Sequence, residues 1–385
     1  MMLENYRSTW MTEEHELLAA MARRFTEEEI VPNDERWRKQ HRVDKETWKK
    51  AGSLGLLCTD VPETYGGMGG DFGHDAVIYS ELARSSEVGF SGGRAVHAIT
   101  AHYVLNCGTE AQKEHWLPRM ASGEAIGAIA MTEPGAGSDL KGVRTRAERR
   151  GDKYVINGSK TYISNALNMG VLLLVAKTDP EAGSKGISLI LIEPHGTPGF
   201  SVGRVLDKIG MHSQDTCELF FQDCEVPADN VLGAVEGRGM YQLMEQLPYE
   251  RAILGLISTY LMERAVALTI EYTKDRKAFG QPIFDFQNSR FTLAELATKA
   301  TVARVFADFV IAQRIAGTLD TTIASMSKWW SSDVYCEVVD ECLQLFGGAG
   351  YMNEYPIARM YTDARVMRIF GGTNEIMKEL IARSL

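Results

Sequence analysis

Residues Val143–Ala166, VRTRAERRGDKYVINGSKTYISNA, alternate apolar and polar side chains on either side of a Gly-Asp-Lys turn. A period of two sends successive side chains to opposite faces, so the stretch predicts two paired strands and not a helix. VLLLVAK (Val171–Lys177) and GISLILIE (Gly186–Glu193) follow as apolar runs bounded by Gly and Pro, and ELFFQDCEVP (Glu218–Pro227) continues the pattern. Outward in both directions the period changes. From Glu13 to Ser122 apolar residues recur at three and four, as at Leu17, Leu18, Met21 and Phe25, with TYGGMGGDFGHD (Thr64–Asp75) as a glycine-rich loop inside the block. Helical spacing returns from Gly239 to the end. The predicted order is helices, a β-domain, then helices, with boundaries at 1–122, 123–234 and 235–385.

A chain of 385 residues, 45% hydrophobic and 24% charged, has room for several domains with ample core. Its net charge of -10 argues against a nucleic-acid partner, because phosphate binding needs a basic face. No uninterrupted apolar run approaches the roughly 20 residues that span a bilayer. The opening MMLENYRSTWMTEEHELL lacks the apolar segment of a signal peptide and is too acidic for a transit peptide, so a cytoplasmic location is expected. Cys58, Cys107, Cys217, Cys224, Cys336 and Cys342 show no metal-ligand spacing, and the eight histidines form no HExxH. Reduced thiols and no metal site are expected.

Met240–Arg276, MYQLMEQLPYERAILGLISTYLMERAVALTIEYTKDR, is apolar on more than one face and predicts a helix deep in a bundle. Pro248 inside it removes one backbone donor and predicts a kink. The sharpest local signal is MTEPGAGSD (Met131–Asp139), whose glycines let the backbone approach a planar or anionic ligand. Alone it is an ordinary turn. Its company is TYISNA (Thr161–Ala166), DRKAFGQPI (Asp275–Ile283) and LQLFGGAGYMNEYPIARMYTDARV (Leu343–Val366).

These four stretches, in this order and spacing, resemble the acyl-CoA dehydrogenase family of flavoproteins over nearly the whole chain. KIGMHSQDT, ELFFQDCEVP, QLPYERAI and GGTNEIMKELIAR are most similar to its long-chain branch. The resemblance implies an N-terminal helical domain, a middle β-barrel-like domain and a C-terminal four-helix bundle. It implies FAD as cofactor and an acyl-CoA substrate, of medium-to-long or branched chain, oxidised to a trans-2-enoyl-CoA as in fatty-acid β-oxidation. Thr132, Gly137, Ser138, Tyr162 and Ser164 match flavin contacts, and Ser138 also matches a substrate contact. Arg276, Phe279 and Gln287 match an arm that holds the FAD of a neighbouring subunit, where an arginine fork suits a diphosphate. Gln344, Gly347 and Gly348 match a segment that also crosses the dimer, and Thr373 and Glu375 match contacts from the last helix. A homotetramer passing electrons to an electron-transferring flavoprotein is implied as well.

Most of the family carries its base as a glutamate in a terminal Tyr-Glu-Gly-Thr. Here the matching residues are Phe370-Gly371-Gly372-Thr373, so the usual position has no side chain. The enzyme is then inactive, its base has moved, or the chemistry differs. Glu250, in an otherwise apolar stretch, matches the position where long-chain and isovaleryl-CoA members place theirs. A carboxylate in an apolar pocket is biased toward a raised pKa, as catalysis requires. A structural ion pair with Arg251 is the plain alternative, and the vacancy at Gly371 favours the base. By resemblance a backbone N–H in the Gly371–Gly372 loop helps bind the thioester carbonyl, with a flavin ribityl hydroxyl as second donor, and Arg251 faces the CoA end of the substrate or secures its helix. Ser91, Gly92 and Gly93 are small residues at the matching pocket floor and predict a deep pocket.

Two other functions fit the same residues. One is an oxygen-reactive acyl-CoA oxidase on this fold, disfavoured because the extra C-terminal domain common in oxidases is missing. The other is a non-catalytic acyl-CoA or flavin-binding protein, disfavoured by Glu250 and the flavin motifs.

Overall fold

The computed structural model describes residues 6–385. The N-terminal helices are α1 (Glu13–Phe25), α2 (Asp34–Gln40), α3 (Lys45–Ser53), α4 (Phe72–Ala83), α5 (Gly89–Cys107) and α6 (Glu110–Ala121). α1 and α4 begin alike. Thr12 and Asp71 are their N-caps, and the Nδ1 atoms of His15 and His74 accept the cap N–H groups of Thr12 (3.1 Å) and Asp71 (3.0 Å). That use accounts for the clustering of His15, Asp71 and His74.

Seven strands follow: β1 (Ile126–Ala130), β2 (Arg146–Arg150), β3 (Lys153–Ser164), β4 (Met169–Lys177), β5 (Ile187–Ile192), β6 (Phe200–Val205) and β7 (Thr216–Pro227). They form one curled sheet in the order β1-β4-β2-β3-β7-β6, with β5 on β4. β1 runs parallel to β4, while β2–β3, β3–β7, β4–β5 and β6–β7 are antiparallel. The run at β4 is continuously apolar because both faces are covered. Val171, Leu173 and Val175 join the core shared with the helices, and Leu172, Leu174 and Ala176 join a second core within the sheet. Each such leucine is worth roughly 1.5–3 kcal/mol of burial.

The C-terminal part holds α7 (Gly239–Asp275), a small hairpin of β8 (Lys277–Ala278) and β9 (Gln281–Pro282), α8 (Gln287–Ile315), α9 (Thr321–Phe346), α10 (Pro356–Ala364) and α11 (Asn374–Ala382). α7 packs on α9 and α8 and reaches α4 and α5 of the first block. It is long and apolar enough to cross a membrane by length and composition, but 72% of that stretch is buried inside the protein, as a core helix is. α7 continues through Pro248. The carbonyl of Met244, deprived of its partner there, belongs to a turn in which Tyr241, Met244 and Glu245 are exposed, so water can satisfy it.

Candidate active site

Glu250 lies on α7, 6% exposed, and its Oε1 accepts a hydrogen bond from Tyr103 Oη of α5 at 2.7 Å. Burial pushes its carboxyl above the usual carboxylate range, and the Tyr103 hydroxyl and the Arg251 charge oppose that rise only in part. One turn further along the same face stands Leu254. A Cβ built on Gly371 would meet Leu254 Cδ1 at 2.2 Å. The turn before α11 therefore presses its bare backbone onto α7 beside Glu250, as residues four apart share a helix face. Gly371 and Gly372 have φ of +63° and +90°, where an L side chain is strained. A side chain at 371 would have to push the Leu254 tip aside and hold a strained backbone conformation.

That turn is held from behind. Lys328 of α9, buried, donates from Nζ to the Gly372 carbonyl (2.7 Å) and to Asn374 Oδ1 (2.9 Å). Asn374 donates in turn to Ser332 Oγ and Asp333 Oδ1, both at 2.9 Å. Burial pulls Lys328 down to about 8. With the Gly372 carbonyl fixed, the N–H groups of Gly371 and Gly372 find no acceptor among the described residues. Such a pair of free donors beside a buried carboxylate suits an oxygen that gains negative charge. Thr373 is the N-cap of α11 and Glu375 lies exposed in its first turn.

Arg251 does not reach the surface. It is buried and directed at α9, where Nη1 donates to Ser325 Oγ at 3.2 Å while Nε has no partner among the described residues. Gly92 and Gly93 are also accounted for by packing. Added Cβ atoms there would meet Met211 at 2.9 Å and the Asn165 side chain at 2.9 Å, so these glycines admit neighbouring side chains. Ser91 is buried and bonds the Val88 carbonyl.

The glycine loop and the strand opposite it form a second wall. Glu133 and Ala136 pair across a tight turn, and Thr161 N donates to Thr132 O at 3.0 Å, which joins the loop to β3. Beneath it the buried Lys160 Nζ bonds Glu133 Oε1 and the Met131 carbonyl, each at 2.9 Å. Above it β3 slips register against β7 between Lys160 and Ile163. In that bulge Tyr162 takes φ +61° and stands 68% exposed. An aromatic residue at positive φ on a bulge is held at a cost, and such strain clusters at ligand sites. Cβ atoms at Gly135 and Gly137 would touch nothing within 4 Å, so the loop face is open to a planar group. Ser138 is exposed, Thr132 and Ser164 half-buried.

The other cofactor candidates lie elsewhere. Tyr272 stacks on Phe346 (centroids 4.0 Å apart) and so joins the end of α7 to the end of α9. This brings Arg276, Phe279 and Gln287 together with Gln344, Gly347 and Gly348, all of them exposed, with Phe279 96% exposed. Arg276 is the C-cap of α7, 26 residues beyond Glu250 and about 39 Å from it along the axis at 1.5 Å each. One chain does not bring these two groups to one ligand.

Sequence reasoning missed Tyr103, Lys328 and the Glu133–Lys160 pair. A lone lysine in ASMSKWW is a weak signal of a buried function, and a tyrosine in an apolar helix is none.

Models of the acyl-CoA dehydrogenase N-terminal, middle and C-terminal domains match residues 12–124, 128–224 and 237–385. The chain is 46% identical over 375 residues to the mitochondrial long-chain specific acyl-CoA dehydrogenase of Sus scrofa, covering 97% of this chain and 86% of that protein. Its structure matches an acyl-CoA dehydrogenase from Geobacillus kaustophilus with a TM-score of 0.94 and 44% identity, over 98% of this chain and 99% of the other. It also matches a chain in a structure described as the electron transferring flavoprotein of Acidaminococcus fermentans, with a TM-score of 0.93 and 35% identity, over 98% and 99%.

Proposed function

This chain belongs to the acyl-CoA dehydrogenase family of flavoprotein oxidoreductases, and from that premise we propose that Glu250 takes the α-proton of a medium-to-long-chain acyl-CoA thioester. The observation that carries the proposal is the contact of the bare Gly371 backbone with α7 one turn from Glu250. It sets a buried carboxylate beside two free N–H donors. A thioester oxygen held by the N–H groups of Gly371 and Gly372 gains charge as the proton leaves, and those bonds strengthen with it. Glu250, desolvated and raised by burial, is matched to accept that proton. Arg251, which has no carboxylate partner among the described residues, favours the ionised form of its neighbour.

Thr132, Gly137, Ser138, Tyr162 and Ser164 would hold the flavin of FAD along the open loop face, with Thr373 and Glu375 at its edge. Bound FAD supplies the acceptor for the hydride that leaves the β-carbon. The rigid Glu133–Lys160 brace fixes the loop without blocking that face. Arg276, Phe279, Gln287, Gln344, Gly347 and Gly348 would serve the FAD of a second copy, since about 39 Å separates Arg276 from its own base. That requires at least a dimer, and a homotetramer with an electron-transferring flavoprotein as acceptor is the assembly we infer. Arg276→Ala should lower flavin retention roughly 10-fold or more, a charge-assisted contact being worth about 1.5–3 kcal/mol. Unchanged retention by absorbance after dialysis would remove the cross-subunit role.

The test is anaerobic bleaching of the bound flavin by palmitoyl-CoA in the parent and in Glu250→Gln. Loss of bleaching by about 100-fold or more, with FAD and ligand still bound, supports the base assignment. Equal bleaching in both would falsify it. A chain-length series of acyl-CoAs with its best rate at four carbons would overturn the substrate class.

A further inference from the structure

We propose that Tyr103 is a positioning residue for proton abstraction, an inference that rests on Glu250 being the base: its hydroxyl holds Glu250 Oε1 so that Oε2 meets the substrate α-carbon. The bond is 2.7 Å between two buried side chains. It belongs to a set of three contacts that lock α5 against one stretch of α7. His102 stacks on Tyr249, with centroids 3.7 Å apart and planes 18° from parallel. Tyr103 bonds Glu250, and Asn106 Nδ2 donates to Gln246 Oε1 at 2.9 Å. Neighbours on one helix thus hold neighbours on the other, and the carboxylate is fixed both by its backbone and at one oxygen.

Among the described residues the Tyr103 hydroxyl has only that partner, and Glu250 Oε2 accepts no hydrogen bond. The two carboxylate oxygens are therefore unequal. Protonating Oε1 would compete with an existing donor, whereas protonating Oε2 breaks nothing. As the α-carbon releases its proton to Oε2, the electron pair of that C–H bond stays with the substrate and the carboxylate becomes neutral. Tyr103 keeps its own proton throughout, because burial and the adjacent carboxylate hold its phenol far above the ordinary range. It acts as a fixed donor and not as an acid.

The same hydroxyl tunes the base. Burial raises the Glu250 carboxyl and the Tyr103 bond pulls it back. Removing the donor leaves a carboxyl that holds its proton to higher pH, so that a larger fraction of the enzyme at neutral pH cannot accept another.

The experiment uses the FAD-loaded protein and its Tyr103→Phe variant. Two quantities are followed against pH: the rate of anaerobic flavin bleaching by palmitoyl-CoA, and the infrared C=O stretch of the protonated Glu250 carboxyl, assigned by its loss in Glu250→Gln. We expect both midpoints to rise together by about one pH unit and the bleaching rate at pH values below the parent midpoint to fall about 10-fold, with KM and flavin content within about two-fold. A fluorinated tyrosine at 103, a stronger donor of similar shape, should move both midpoints down, and it keeps the test open if the Phe variant fails to fold. Parent midpoints in both variants, or a rate loss equal at every pH, overturn the proposal. If Glu250→Gln bleaches like the parent, the base assignment itself fails. If the Gln variant is inert and both Tyr103 variants titrate like the parent, only the role of Tyr103 falls.

Discussion

Glu250 and Glu87 are both buried glutamates whose carboxyls burial pushes upward, yet their surroundings prepare them for opposite tasks. Glu250 faces one neutral hydroxyl, a neighbouring arginine and an oxygen left free. Glu87, just before α5, sits where three parts of the chain meet. Asp34 of α2 and Asp363 of α10 press negative charge on it, while Arg359 bonds its Oε1 from Nη2 at 2.9 Å. Burial and the two acids outweigh the arginine and raise Glu87 to about 9, so it carries a proton at neutral pH. The buried Asp34 Oδ1 has no hydrogen-bond partner among the described residues, and a protonated Glu87 would be able to supply one. Burial alone thus selects no function. A base needs a vacant oxygen and an open side, and a structural acid needs every partner present.

The sharpest way to break this contrast is to exchange the defects. Glu250→Gln should reduce flavin bleaching about 100-fold or more, with flavin retention close to the parent, whereas Glu87→Gln should leave the bleaching rate within about two-fold. Activity lost equally in both variants would mean that Glu250 matters only as another buried acid.

A smaller effect concerns where the base can stand. Putting a carboxylate back at the terminal turn, as Gly371→Glu in the Glu250→Gln background, should not restore bleaching. Position 371 has φ +63°, and its Cβ would lie 2.2 Å from Leu254 Cδ1. Trimming the obstacle with Leu254→Ala in the same background should recover part of the rate, about 10-fold, because only the backbone strain then remains. Recovery without the Leu254 change would show that the turn is free to shift and that the vacancy at 371 has no steric origin.

These comparisons also show how far the sequence could be read. The double-sided apolar run of β4 and the hairpin at Gly151 announce the sheet, since burial on two faces leaves a continuous pattern. Glu250 stood out in the sequence as a carboxylate in the most apolar part of α7, and the empty Gly371 drew attention to it. Tyr103 was not legible, because it meets Glu250 from 147 positions away and a single tyrosine in an apolar helix carries no trace of its partner. Glu87 was hidden for the same reason, its acid neighbours arriving from α2 and α10. Gly92 and Gly93 show the converse. Their small size was plain, but whether it opened a pocket or admitted a neighbour depended on Met211 and Asn165 from the β-domain.

The smallest effect expected is on stability, and it falls on the other glutamate. Glu87 binds its proton in the folded chain up to about pH 9, while an unfolded glutamate releases it near 4.5. Between those values the folded state holds the extra proton, so the stability it contributes is full below the unfolded pKa and is lost as pH rises through the folded one. Glutamine mimics the protonated acid and still donates to Asp34, but it does not titrate. Glu87→Gln should therefore gain on the parent as pH increases, the difference in Tm moving in its favour by roughly 2–4 °C between pH 5 and pH 9. Thermal melts across that range decide it. Parallel curves would mean that Glu87 is ionised beside Arg359, and that the two buried glutamates differ only in reach of substrate and not in the proton they carry.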